Sequence, residues 1–138
     1  MNNRTLFDYM MFAQAWCLLH LAKLVILFTP FRKIASWMGN LGVESIHDLG
    51  PTPIATKIEH AIRRSSRYTL HNSKCYDQAL TAKVLLGQSK LPATIYFGLT
   101  KDGDKPLIAH AWVRCGESII SGKAGMERFT VVACFGDI

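Results

Sequence analysis

The sequence has little of what would place it in a specialised class. Its 138 residues hold four cysteines without a paired CxxC spacing, and the N-terminus does not read as a cleavable signal. This pattern argues against a disulfide scaffold, and we expect free thiols in a reducing cytoplasm. Internal repeats, low-complexity tracts and Gly/Ser linkers are also lacking, which favours one domain over residues 1–138.

Acidic residues are scarce: 10 Asp and Glu face 16 Lys and Arg, for a formal charge of +6. Such an excess suits an acidic partner. The basic residues are scattered, however, and their only tight group, Arg63, Arg64 and Arg67, has no interleaved aromatics. We interpret this group as a solvated helix face and expect no nucleic-acid partner.

The long apolar run from Met10 to Phe28 is close to the length of about 20 residues that spans a membrane. Gln14, His20 and Lys23 interrupt it, and in lipid each would need a polar partner. We therefore expect a helix buried against its own domain, with membrane association as the alternative.

Start and stop signals predict helices in the first two thirds of the chain and strands after it. The predicted helices are Leu6–Phe28, Phe31–Met38, Pro53–Arg67, and a fourth that Asn72 or Ser73 caps and Gly87 ends, with Asn40–Gly50 as a loop. The predicted strands are Thr94–Thr100, Leu107–Arg114, Ser118–Ser121 and Phe129–Phe135, with turns at Asp102-Gly103 and Cys115-Gly116. These elements predict an α+β fold, in which N-terminal helices pack on a C-terminal antiparallel meander of three to four strands.

Cys75 has the position of a reactive thiol, in the first turn of the fourth predicted helix. Free N–H groups and the positive end of the helix dipole stabilise thiolate there. The same N–H groups can bind a developing oxyanion, at about 3 kcal/mol per donor. We interpret the other cysteines as buried or half-buried small hydrophobes: Cys17, Cys115 and Cys134.

A nucleophilic cysteine needs an imidazole, and His110 is the best candidate. It lies in the middle of a predicted strand between two alanines, where a polar ring has little reason to exist unless something opposes it. The other histidines lie on predicted helices or loops, or only four residues before Cys75: His20, His47, His60 and His71.

Four strings then carry a family resemblance: Pro30-Phe31-Arg32-Lys33, Cys75-Tyr76-Asp77-Gln78-Ala79-Leu80, Ala109-His110-Ala111-Trp112-Val113 and Glu127-Arg128-Phe129-Thr130-Val131-Val132. In their order, with 35 positions from Cys75 to His110, they resemble the leader peptidases of lasso-peptide biosynthesis. These are the peptidase domains of the B proteins, of the microcin-processing type, within the papain-like and transglutaminase-like cysteine proteases. The likeness spans Leu18 to Phe135.

The resemblance implies a papain-like or transglutaminase-like core in residues 51–138, preceded by a helical part in residues 1–50. It implies Cys75 as the nucleophile and His110 as the general acid and base that cleave the leader from the core peptide, with no metal or bound cofactor. Gln78 matches a family position and shares a helix face with Cys75. Substrate or oxyanion binding and a structural role are both open for it.

One position departs from the family, which often carries an Asp some dozen residues after the histidine, where this chain has Gly122. A two-residue loop at Cys115-Gly116 would pair His110 with Ser121. The imidazole is then oriented by Ser121, by a backbone carbonyl or by a more distant carboxylate. Alternatively, Cys75 and His110 are enough for catalysis as a dyad, with no third residue. The distant carboxylates are Glu117, Asp102 and Asp104.

Related systems often fuse a leader-recognition domain to the peptidase, and 138 residues are too few for both. We therefore expect a precursor peptide, a separate leader-recognition protein and an ATP-dependent lasso cyclase as partners, docked on an apolar helical half. Two alternatives remain: a transglutaminase-like acyl transferase with the same Cys and His, or an inactive adaptor associated with a membrane or maturation complex.

Overall fold

A computed structural model describes residues 5–46, 52–70, 74–101, 103–104 and 106–137. The α+β prediction is confirmed: helices come first and an antiparallel sheet follows. The helices are α1 (Leu6–Phe28), α2 (Phe31–Trp37), α3 (Pro53–Ser65) and α4 (Cys75–Gln88). The strands are β1 (Asn40–Leu41), β2 (Thr94–Thr100), β3 (Ile108–Cys115), β4 (Ser118–Ser121) and β5 (Thr130–Gly136), with short 3-10 helices at Ser66–Tyr68 and Met126–Arg128.

Helix α1 has the predicted bounds because both of its ends are encoded locally. Thr5 caps it: the Asp8 N–H donates to Thr5 Oγ1, and the Asp8 carboxylate accepts from the Thr5 N–H. Its buried residues recur every three or four positions and pack against α3 and α4. They are Met11, Ala15, Leu19 and Ala22.

The polar side chains of α1 hydrogen-bond to the rest of the domain. Gln14 Nε2 donates to Gln88 at 2.6 Å, Trp16 Nε1 donates to the Tyr68 carbonyl at 2.9 Å, and His20 Nε2 accepts from the Leu70 N–H at 3.0 Å. By length and composition alone α1 could cross a membrane, with a mean hydropathy of 1.8 over its most apolar stretch. In the described structure the three hydrogen bonds join α1 to the rest of the domain, and 22% of that stretch is buried.

The other helix ends differ slightly from the prediction. Helix α3 stops at Ser65 and continues as a 3-10 turn. Helix α4 begins at Cys75, with Lys74 as its N-cap, and ends at Gln88, one residue after Gly87. The predicted capping residues Asn72 and Ser73 lie outside the described residues, as do His47 and His71.

The sheet has the order β1-β5-β2-β3-β4, so the predicted meander is wrong for the last strand. Strands β2, β3 and β4 follow one another, but β5 crosses back and pairs with β2. Gly122 and Gly125, both at φ +78°, lie in the connection that turns the chain back. Strand β1 lies in the segment predicted to be a loop. With two residues it is too short to show the apolar–polar alternation by which a strand is predicted from sequence.

The β3–β4 turn also differs from the prediction. The loop is Gly116-Glu117, because Cys115 pairs with Ser118, and Gly116 supplies the positive φ of +59° that a tight hairpin needs at its first central position. A bulge between Val113 and Arg114 then places Ser121 opposite Val113. The predicted pairing of His110 with Ser121 is therefore wrong.

Asp102, which belongs to the other predicted turn and is one of the candidate carboxylates, lies outside the described residues.

The core lies between the helices and one face of the sheet. Ala111 and Val113 of β3 belong to it, together with Ile95 of β2 and apolar residues of α3 and α4. His110 and Trp112 alternate with these residues and therefore occupy the other face of β3. Helix α4 packs directly on β3, which sets the spacing between the element that carries Cys75 and the strand that carries His110.

Candidate active site

Cys75 is the first residue of α4, as the sequence predicts. The Lys74 N–H donates to the Asp77 carboxylate at 3.2 Å, and the Gln78 N–H makes the first intrahelical bond, to the Lys74 carbonyl at 3.1 Å. The N–H groups of Cys75 and Tyr76 come before this first bond, at positions where a helix offers no carbonyl acceptor. Cys75 is half-buried beside the core, so its thiol meets the positive end of α4 while remaining accessible.

A groove of about 730 Å³ contains both residues that the sequence analysis predicts as catalytic. Cys75 and Gln78 line it from α4, His110 from β3, and Ser121 and Gly122 from the end of β4. His110 can reach this groove because β4 pairs only with residues 113–115 and leaves the first half of β3 uncovered. The fold thus brings the thiol and the imidazole to one cavity.

The other candidate residues lie elsewhere. His20 bonds to Trp16 and Leu70, and His60 is an exposed residue of α3. Glu117 lies in the hairpin loop at the far end of β3, and Asp104 lies before β3 begins; neither lines the groove. Among the described residues, then, no predicted carboxylate joins Cys75 and His110.

His110 is held by a backbone carbonyl. Its Nε2 lies 2.7 Å from the oxygen of Gly122. A carbonyl oxygen only accepts, so Nε2 carries the hydrogen and donates it. Nδ1 is then the basic nitrogen of the neutral ring. Of the orienting groups left open by the sequence, the backbone carbonyl is the one in place.

Two aromatic rings fix the plane of the imidazole. His110 stacks on Trp112, with ring centroids 5.6 Å apart, and contacts Phe129 at 4.9 Å. Gly98, opposite His110 on β2, leaves room for them, since a Cβ there would lie 2.9 Å from both Trp112 and Phe129.

Position 122 has no room for the Asp that the resemblance leads us to expect there. The φ of Gly122 is +78°, and a Cβ would overlap the carbonyl oxygen of Ala111 and lie 2.8 Å from Trp112 Cβ. Only glycine lets the chain pass this close to β3. The same close approach brings the Gly122 carbonyl within hydrogen-bond distance of the imidazole. The absence of a side chain at position 122 therefore makes this hydrogen bond possible.

Ser121 is 7% exposed and lines the groove, but it does not hold His110. Its Oγ has no hydrogen-bond partner among the described groups. The groove also has charged lining residues to which the sequence analysis gave no role in the site, because nothing in their local pattern relates them to Cys75. They are Lys123, Glu127 and the ion pair of Arg63 with Glu59, in which nitrogen and oxygen lie 2.8 Å apart.

The remaining thiols are outside the groove. Cys115 is buried and Cys134 half-buried, as expected, but Cys17 is exposed, so its prediction is wrong: it points away from the stripe by which α1 packs. Burial raises the pKa of the Cys115 thiol, which leaves it inert. Within the described ranges, no group of three or more His, Cys, Asp or Glu side chains could hold a metal ion.

The comparison with protein families agrees with this geometry. The sequence model of the transglutaminase-like superfamily matches residues 18–134, a stretch that includes every residue of the groove. No curated protein and no solved structure matches the chain.

Proposed function

Because the chain belongs to the transglutaminase-like superfamily, we propose that it is a cysteine peptidase that removes the leader from a lasso-peptide precursor. The observation that carries the proposal is the shared groove of Cys75 and His110. The four strings that resemble lasso leader peptidases support the choice of substrate. Cys75 acts as the nucleophile and His110 as the general acid and base.

The reaction begins when Cys75 gives its proton to Nδ1 of His110 and its sulfur attacks the last carbonyl carbon of the leader. The tetrahedral intermediate collapses as Nδ1 protonates the amine of the core peptide and the C–N bond breaks. Water then gives a proton to Nδ1 and attacks the thioester carbon. The C–S bond breaks, Nδ1 returns its proton to the sulfur of Cys75, and the leader leaves as a carboxylate after its new acid group loses a proton to solvent.

The oxyanion forms beside the first turn of α4. Backbone N–H groups at a helix start can donate to it, each typically worth about 3 kcal/mol of transition-state stabilisation. Gln78 lies one turn after Cys75 and lines the same groove, so its side-chain amide is available as a further donor to the oxyanion or the substrate.

The carbonyl of Gly122 takes the orienting role that an acidic side chain has in many relatives. It keeps the hydrogen on Nε2 and leaves Nδ1 for the proton transfers. A neutral orienting group is adequate, because a thiolate is strongly nucleophilic by itself. Gly122 is thus compatible with catalysis, which favours an enzyme over an inactive adaptor.

A transglutaminase-like acyl transferase is the second candidate, because the superfamily includes acyltransferases as well as peptidases. Both reactions pass through the same thioester and differ in the acceptor, which is water in one and an amine in the other. The mass of the released leader distinguishes them: hydrolysis yields a free carboxylate, whereas transfer yields an amide with the mass of the acceptor added.

Partners and location are part of the proposal. A separate leader-recognition protein delivers the precursor, and an ATP-dependent cyclase closes the ring of the released core in the cytoplasm. Adding the leader-recognition protein should raise kcat/KM for precursor cleavage. A rate that does not respond to it would remove this partner from the account.

Replacing either catalytic residue tests the function. With a precursor encoded beside its gene, and the partner proteins present, Cys75→Ala and His110→Ala should each lower cleavage by about 10⁴-fold or more, as followed by mass spectrometry. Cys17→Ser, which changes an exposed thiol outside the groove, is the control and should cleave normally. Persisting cleavage in a folded Cys75 or His110 variant would refute the assigned roles.

A further inference from the structure

The corner between α1 and α2 carries large exposed apolar side chains. Leu21, Leu24 and Phe28 are spaced by three and four positions and so share a face of α1, and they are 54%, 53% and 80% exposed. Trp37 of α2 is 66% exposed and lines, with Leu21, an apolar hollow of about 280 Å³. We call these four residues the apolar corner.

The charge nearest to the apolar corner along the chain is basic. The hollow also has one acidic lining residue, Asp137, whose carboxylate lies 3.0 Å from Nζ of Lys83. The sequence holds no acidic residue between Asp8 and Glu44. Lys33 lies one turn before Trp37 on the same face of α2, and Arg32 adjoins it; neither forms an ion pair with a described residue. An exposed apolar surface with a cationic rim is complementary to an anionic lipid surface.

The packing of α1 determines how such a surface can bind. Gln14, Trp16 and His20 bond to the rest of the domain, so in the folded chain α1 lies along it. Only 22% of its most apolar stretch is buried, however, so much of that surface faces outward. Trp37 stands at the rim, and indole rings favour the boundary between headgroups and acyl chains.

We propose that the apolar corner binds the surface of an anionic membrane. Leu24, Phe28 and Trp37 enter the headgroup boundary, while Arg32 and Lys33 contact lipid phosphates. The corner and the catalytic groove are far apart along α4. Val84 of α4 lines the hollow and lies about 13 Å along the helix from Cys75, at 1.5 Å per residue. The catalytic groove is therefore left open, and the proposal does not depend on the peptidase assignment.

Vesicle sedimentation with the full chain tests this binding. The protein should sediment with vesicles of equal phosphatidylglycerol and phosphatidylcholine and stay in solution with phosphatidylcholine alone. Arg32→Gln with Lys33→Gln should weaken binding about 30-fold, at roughly 1 kcal/mol for each lost charge. Leu24→Ser with Phe28→Ser should weaken it at least tenfold.

The matched control is Val131→Ser with Val132→Ser, which changes two exposed apolar residues of β5 and should leave vesicle binding unchanged. Absence of binding to the anionic vesicles would overturn the proposal, as would binding that the corner variants leave intact. A corner that docks a protein instead would give no vesicle binding, and the same variants would then reduce association with that protein or with a second copy.

Discussion

At the scale of single residues, the account depends on a backbone oxygen. The Gly122 carbonyl holds the imidazole of His110, and Gly122 can do so only because it has no side chain to separate it from β3. A side-chain acid in a relative and a carbonyl here give the ring the same tautomer. The lack of an acidic side chain at position 122 is therefore not by itself a sign of an inactive site.

Gly122→Ala should lower kcat about 100-fold, with a smaller change in KM, because the new Cβ forces the carbonyl away from His110. Gly125→Ala is the matched control: it has the same φ of +78°, but its Cβ would meet nothing closer than 3.5 Å. The Gly125→Ala protein should have a lower free energy of unfolding, because of backbone strain, and should keep most of its kcat. Equal loss of kcat in the two variants would mean that strain, not the carbonyl, matters.

Ser121→Ala should leave kcat within about twofold of the wild type, because Ser121 makes no bond to His110. The free energy of unfolding should not fall, and can rise by about 1 kcal/mol, since a buried hydroxyl without a partner is removed. Steady-state kinetics and urea unfolding measure the two effects. A large drop in kcat would return Ser121 to the mechanism.

Cys75 and His110 could be proposed from sequence because each stands in a local pattern that has a chemical meaning. Gly122 could not be identified as a partner, since a backbone hydrogen bond leaves no trace in residue identity. Its location also depended on the β3–β4 register, which the bulge at Val113 and Arg114 shifts. The exposure of Cys17 depended on which stripe of α1 is buried, and an almost uniformly apolar helix does not specify that.

At the scale of elements, an ion pair joins α1 to α3. Lys57 Nζ lies 2.7 Å from Asp8 Oδ1. The hydrogen bond from Lys57, followed by that from the Thr5 backbone, lowers the pKa of Asp8 from 3.8 to about 2. Asp8 thus contributes to the capping of α1 and to its docking at once.

A lowered pKa in the folded state stabilises the protein above the unfolded value and ceases to do so as the pH falls through the folded value. Wild type should therefore have a higher urea midpoint than Asp8→Asn at pH 6, and the difference should shrink between pH 3.8 and about 2. Lys57→Met should show the same pattern. A difference that is constant down to pH 2 would contradict the ion pair.

Element bounds were predictable where they depend on neighbouring residues. The cap at Thr5 and the Thr29-Pro30 stop define α1, and a run of β-branched and aromatic residues marks β2. The pairing of strands was not predictable in the same way. Strand β5 carries no signal that selects β2 over β4 as a neighbour, and that choice depends on burial in the complete sheet.

At the scale of the whole molecule, the candidate site is assembled from three regions that are distant in sequence. The start of α4, the uncovered half of β3 and the segment after β4 meet in one groove, and the packing of α4 on β3 sets their spacing. The apolar corner lies toward the other end of α4. A bound membrane and a bound precursor would therefore use different parts of the surface.

The central claim is that Cys75 attacks the leader carbonyl with the help of His110. A leader peptide that ends in a chloromethyl ketone presents an electrophile at that position, and peptide mapping shows which residue it alkylates. We predict labelling of Cys75, no labelling of the exposed Cys17, and a strong loss of labelling in His110→Ala. A protein that cleaves its precursor yet carries the label elsewhere, or labels equally well without His110, would contradict the account.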